Sequence, residues 1–266
     1  MEGDAFRDLV IESDRALVST GKQTLVVSRG GDILDLHEPP RIGRDHNRSS
    51  LRIDNRCELE KGELLERDAQ GVCISRTEIP FDPFEPHFTR RFAGLPLDEA
   101  ALRDHMVDRW WRYVALVADP TRGRLLAFNT SIPWLAAIRT DGRVDWALDI
   151  GVFGGCCNSG DIVAGDGTFA HLSMCDARIT FVSAEGQIVS AHAIGAEPRD
   201  LWTDGRGVAY VTLSNEGIAA YRPMVGRTRT LEIPHVRRTQ VKDGILYAVV
   251  EDPSDGFMLK AFQART

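Results

Sequence analysis

No apolar run in this chain is long enough to cross a bilayer, and its first residues, Met1-Glu-Gly-Asp-Ala-Phe-Arg-Asp8, are acidic and lack the apolar stretch of a secretory leader. The expectation is a cytoplasmic protein with no membrane partner. An excess of positive charge is also missing: Lys+Arg 32 stand against Asp+Glu 39, giving a net charge of −7 and a pI near 5.5. Without phosphate-neutralising charge, nucleic acid is not expected as a partner. Cysteine is scarce and odd in number: five, at positions 57, 73, 156, 157 and 175, with no CxxC spacing. That argues against a disulfide framework and against a four-thiolate zinc site. The seven histidines, at 37, 46, 87, 105, 171, 192 and 235, include no HxH or HExxH pair, and no Gly-x-Ser-x-Gly elbow occurs. A Ser/His/Asp triad assembled in space is left open. Lysine is nearly absent, four residues against twenty-eight arginines, a bias expected of a GC-rich bacterial genome.

What is present is an ordinary globular composition, 43% hydrophobic and 27% charged over 266 residues, enough for one large all-β domain or two small ones. The chain repeats itself. Asp166-Gly167, Asp204-Gly205 and Asp243-Gly244 lie 38 and 39 residues apart, each between two strand-like runs, and Arg122-Gly123 fills the same place one repeat earlier. A period near 40 residues with about four strands per repeat marks the blades of a β-propeller. The fold class expected is all-β: a single propeller of about six four-stranded blades over residues 1–266, with five or seven left open.

The last repeat shows only three strands, at 239–242, 245–251 and 258–262. The N-terminal segment 6–12 is therefore expected to pair with it and close the ring. The stretch Ile79-Pro-Phe-Asp-Pro-Phe-Glu-Pro86 has three prolines and reads as a surface loop. Residues 97–111 place Leu97, Ala101, Leu102, His105, Met106 and Trp110 near helical spacing, with Asp98 and Glu99 in the first turn, and predict an inserted helix.

The segment Leu135-Ala-Ala-Ile-Arg-Thr-Asp-Gly-Arg-Val-Asp-Trp-Ala-Leu-Asp-Ile-Gly151 resembles the repeat of quinoprotein-like (PQQ-like) propellers: a strand, an Asp-Gly turn, and a strand with tryptophan ending in glycine. Residues 181–190 are similar but lack the tryptophan. The resemblance covers about half of the chain and implies a fold, not an activity; no cofactor is expected. Some quinoprotein dehydrogenases close adjacent cysteines into a vicinal disulfide against the cofactor. For Cys156 and Cys157 the reading taken is two unlinked thiols in a glycine-rich connector.

With the first strand of each blade innermost, the Asp-Gly turns share one face. The longer loops (129–134, 174–177, 214–217 and 251–256) and the connectors near Asn158, Arg199 and His235 share the other. Varied loops on a rigid scaffold are the default binding face. Trp110, Trp111, Asp200, Trp202, Arg237 and Arg238 are the candidate contacts, the two arginines joining Arg199 and Arg222 in a cationic mouth suited to carboxylate or phosphate. His171 alternates with apolar neighbours and reads as a core or channel residue, not a base. The function expected is non-enzymatic binding of a peptide, a protein or a small metabolite. One alternative is a metal-dependent, lactonase-like hydrolase holding a hard cation on Asn129, Asp176, Asn215 and Asp252; bound metal in purified protein would favour it. Another is an accessory or self-protection protein of a bacterial natural-product pathway.

Overall fold

A computed structural model describes residues 6–11, 15–20, 24–28, 33–37, 57–60, 63–68, 72–79, 100, 114–119, 121–129, 134–150, 158–214, 216–242, 245–252 and 256–263. These residues form six antiparallel sheets, four of four strands and two of three, each built from strands consecutive in sequence. They divide into two compact units, Ser50–Ala193 and Met1–Ser49 with Ile194–Thr266.

The first unit, 50–193, holds three sheets. One contains β5 (Cys57–Glu60), β6 (Glu63–Arg67) and β7 (Cys73–Glu78). The next contains β8 (Val114–Asp119), β9 (Arg124–Asn129), β10 (Trp134–Arg139) and β11 (Val144–Asp149). The third contains β12 (Asn158–Ile162), β13 (Phe169–Ser173), β14 (Arg178–Val182) and β15 (Ile188–Ala193). The other unit begins with β1 (Phe6–Ile11), β2 (Arg15–Thr20), β3 (Thr24–Ser28) and β4 (Ile33–His37). It continues with β16 (Pro198–Thr203), β17 (Ala209–Leu213), β18 (Gly217–Arg222) and β19 (Gly226–Leu231). It ends with β20 (Val236–Lys242), β21 (Ile245–Asp252) and β22 (Gly256–Gln263).

Burial within a sheet follows strand position. Every residue of β9 and β13 is buried, as expected for a strand covered on both faces, so these strands read as continuous rather than alternating apolar runs. The fourth strands β15 and β19 are largely open to solvent, and β19 carries Arg227 and Arg229, which blunt an exposed edge. In the 50–193 unit the core runs between neighbouring sheets, with Phe128, Leu126 and Leu135 meeting Phe169 and Val182. In the other unit Ile218 and Ile233 meet Val236, Leu246 and Val250.

Two glycine turns show how adjacent sheets are fitted together. Gly142, between β10 and β11, has φ +81°, and a Cβ there would lie 2.5 Å from the Glu78 carbonyl at the end of β7. Gly186, between β14 and β15, has φ +79°, and its Cβ would lie 2.5 Å from the indole of Trp146 on β11. In both, the last hairpin of one sheet rests on the outer strand of the sheet before it. Only glycine satisfies the left-handed backbone and the close approach together. The second contact is locked by Arg124, whose side chain is 3% exposed. Its Nε donates to Asp119 Oδ2 at 3.0 Å and its Nη2 to the Ala184 carbonyl at 2.6 Å, which also accepts from Trp146 Nε1 at 2.9 Å.

The closure expected for the N-terminal segment is corrected. Phe6–Ile11 is hydrogen-bonded to β2 in the first sheet, and the last sheet, β20-β21-β22, contains three strands among the described residues. Only three residues separate β1 from β2, so a local hairpin forms at far lower chain-entropy cost than pairing with the distant end of the chain. β1 still lies against β20, within its own unit. Of the helix expected over 97–111, only Ala100 lies among the described residues, and it is helical. The loop 79–86, apart from Ile79, lies outside them, as do Cys156 and Cys157.

Candidate functional site

The site is built from two neighbouring first strands, β16 and β20, and both begin with the same irregularity. In β16 the register steps from Pro198↔Leu213 to Asp200↔Thr212; in β20 it steps from Val236↔Val250 to Arg238↔Val249. Arg199 and Arg237 are therefore the extra residues of two equivalent β-bulges, and Asp200 and Arg238 are the equivalent residues after them. The surrounding backbone repeats as well: the Ser214 N–H donates to the Glu197 carbonyl at 2.9 Å, and the Glu251 N–H to the His235 carbonyl at 3.0 Å.

Each bulge arginine reaches the end of the neighbouring strand. Arg199 Nε donates to Ser214 Oγ at 2.7 Å, and that hydroxyl donates to Glu197 Oε2 at 3.0 Å. Arg237 Nε donates to Glu251 Oε2 at 2.6 Å, and its Nη2 meets the same oxygen.

The residues after the bulges meet each other. Arg238 Nη1 donates to Asp200 Oδ2 at 3.3 Å, across a sequence separation of 38 residues, one repeat. Trp202 Nε1 donates to the same oxygen at 3.1 Å, and the Leu201 N–H to Oδ1 at 3.0 Å. Beneath this group the hydroxyls of Thr212 and Thr239 meet at 2.7 Å and tie the two sheets together. Asp200 is buried, and burial pushes its carboxyl above the usual carboxylate range against the pull of Arg238. Arg238 is different. Its side chain is 28% exposed, and Asp200 is its one hydrogen-bond partner among the described residues, so the other donors of its guanidinium fork have no described acceptor.

Of the residues expected to form a binding face, the structure joins Asp200, Trp202 and Arg238 in one hydrogen-bonded group and sets Arg237 beside it. The cationic mouth is corrected on two points. Arg199 and Arg237 are tied to Ser214 and Glu251, and Arg222 closes β18 at the end opposite Gly217, away from the bulges. Trp110 and Trp111 lie outside the described residues. Ser214 and Glu251 open two of the loops assigned to the expected binding face but, like Glu197, were not singled out as contacts from the sequence. The 38-residue offset between Asp200 and Arg238 was the available signal, since it sets both at the same register position.

The oxygen-rich set is only partly described. Asn129 is fully buried at the end of β9, where its carbonyl accepts from Asn158 Nδ2 at 3.1 Å. Asp176 Oδ2 accepts from Ser173 Oγ at 2.9 Å. Asn215 and the side chain of Asp252 lie outside the description. Among the described residues no group of three or more His, Cys, Asp or Glu is placed to hold a metal ion.

No protein-family model and no curated protein matches the chain. Solved structures do. The Cps50 (Swd1) β-propeller domain of Myceliophteria thermophila matches with a TM-score of 0.55 at 11% identity, covering 98% of this chain and 84% of that one. BamB from Moraxella catarrhalis matches with a TM-score of 0.50 at 13% identity, covering 99% and 73%. A streptogramin B lyase matches with a TM-score of 0.49 at 10% identity, covering 100% and 85%. The chain has a fold of the β-propeller kind.

Proposed function

We propose that this chain is a non-enzymatic binding propeller, its sheets serving as blades of one domain over residues 1–266. The ligand is a peptide, protein or small metabolite bearing an acidic group, met by Arg238 with Asp200, Trp202 and Arg237. One observation carries the reading: Arg238, 28% exposed, donates to a buried carboxylate through one nitrogen and has no other hydrogen-bond partner among the described residues. A guanidinium fixed in this way loses little freedom on engaging a second acceptor, which favours binding. The Trp202 indole and the Thr212–Thr239 contact fix Asp200 and the neighbouring strand beneath it. Because the fold class hosts many unrelated roles, the reading rests on this group and not on the fold.

The test is a thermal-shift screen of carboxylate- and phosphate-bearing metabolites and acidic peptides on the wild type and on Arg238→Gln. At least one compound is expected to raise the wild-type midpoint, with an affinity about tenfold to a hundredfold weaker in the variant, the worth of one charge-assisted hydrogen bond. Asp200→Asn/Arg238→Gln removes the buried charge along with its partner and separates lost binding from lost stability. A compound that binds the wild type and Arg238→Gln equally would sink the proposal.

A further inference from the structure

A second polar group lies in the other compact unit, where β12–β15 meets β8–β11. His171 on β13 is paired with Thr180 on β14, and Ser173 with Arg178. Alternation places these four side chains on one face of the sheet, with His171 and Arg178 as diagonal neighbours. That face packs on the preceding sheet: the Phe128 ring stands edge-on to the His171 imidazole at 6.4 Å, and Arg178 Nη2 donates to the Ile150 carbonyl at 2.6 Å.

Two buried nitrogens in this layer lack hydrogen-bond partners. His171 is 2% exposed, and its Nε2 has no hydrogen-bond partner among the described residues; neither does the buried Nε of Arg178. Arg178 also makes no ion pair with a described carboxylate. Asp176, two residues before it, accepts from Ser173 instead. Buried polar atoms are nearly always paired, and a half-buried guanidinium is stable only with compensation, so two such atoms side by side point to an acceptor supplied from outside.

We propose that Arg178 and His171 form a subsite for a monoanionic carboxylate, one oxygen accepting from Arg178 Nε and the other from His171 Nε2. Charge selects this class. The site offers one cation, because burial pushes the imidazole down to about 3, with Arg178 acting in the same direction, so His171 is neutral and supplies an N–H without a charge. A single negative charge balances Arg178. A dianionic phosphate would leave a buried charge uncompensated near Asp176. Arg178 opens β14 directly after the turn 174–177, whose Cys175 is exposed. This subsite shares no residue with the Asp200–Arg238 group.

The test follows the imidazole nitrogens of the 15N-histidine-labelled full chain by NMR during titration with sodium acetate at constant ionic strength. Inorganic phosphate and chloride serve as comparison anions. Acetate is expected to shift His171 Nε2 saturably, and at least tenfold more tightly than either comparison ion. Tri-alanine with a free C-terminus, compared with its amidated form, distinguishes a peptide carboxylate from that of a free small acid. Arg178→Gln weakens acetate at least tenfold and Arg178→Lys less. Should Arg178→Gln fail to fold, His171→Gln, which keeps an N–H donor, retains acetate binding within a few-fold by calorimetry, and His171→Leu loses it. Unsaturable shifts, equal response to chloride, or unchanged affinity in both Arg178→Gln and His171→Leu would overturn the proposal.

Discussion

His171 shows how one residue links burial to pH. Its imidazole is held neutral, down to about 3, chiefly because burial disfavours the charged form. A folded-state value below the unfolded one means that stability is fully present above pH 6.5 and erodes as pH falls from there toward about 3. At up to roughly 1.4 kcal/mol per pH unit, and less close to pH 6.5, the step from pH 6.5 to 4.5 removes about 2 kcal/mol through this side chain. Urea unfolding of the wild type and His171→Gln at both pH values should show a drop smaller by about that amount in the variant. Equal drops would mean that the ring is protonated inside the folded protein. The sequence already marked His171 as a core residue through its apolar neighbours. Its missing partner was not visible there, because that depends on which sheet packs against β13.

Among the elements, the glycine turns between third and fourth strands carry a packing role that alternation alone does not reveal. Gly186, between β14 and β15, and Gly123, between the first two strands β8 and β9 of its sheet, have positive φ, +79° and +59°, yet a Cβ at Gly123 meets nothing within 4 Å while one at Gly186 meets the Trp146 ring. Gly123→Ala is therefore expected to cost about 1 kcal/mol for the left-handed backbone alone. Gly186→Ala should cost a further 1–3 kcal/mol, roughly, for the forced shift against Trp146. Matching denaturation midpoints in the two variants would refute the inter-sheet contact.

The strands themselves were legible wherever turn residues framed an apolar run. The strands expected at 239–242, 245–251 and 258–262 became Val236–Lys242, Ile245–Asp252 and Gly256–Gln263, each bound within three residues. β12 opens on Asn158 and Ser159, which are polar yet buried, so no hydrophobic pattern announces its start. The candidate site was legible in part for a similar reason. Asp200, Trp202 and Arg238 are chemically conspicuous, but the partners of Arg199 and Arg237 depend on one-residue bulges, which shift every later cross-strand pair and leave no mark in composition.

At the scale of the whole molecule, the two ends of the chain belong to one compact unit, Met1–Ser49 with Ile194–Thr266, in which β1 lies against β20. Deleting residues 1–37 should uncover one flank of β20. Its amides are then expected to lose at least about tenfold in hydrogen-exchange protection, the response of a strand deprived of packing on one side. Unchanged exchange across β20 would show that the last sheet stands without the first.

The same repeated arrangement has a consequence for how such a molecule diversifies. Asp200 and Arg238 occupy a single slot in successive copies of one backbone, 38 residues apart. Trading the two side chains would preserve their attraction and the net charge while moving the partly exposed cation from one sheet to the next. The recurring frame can thus stay fixed while the side chains written into it change.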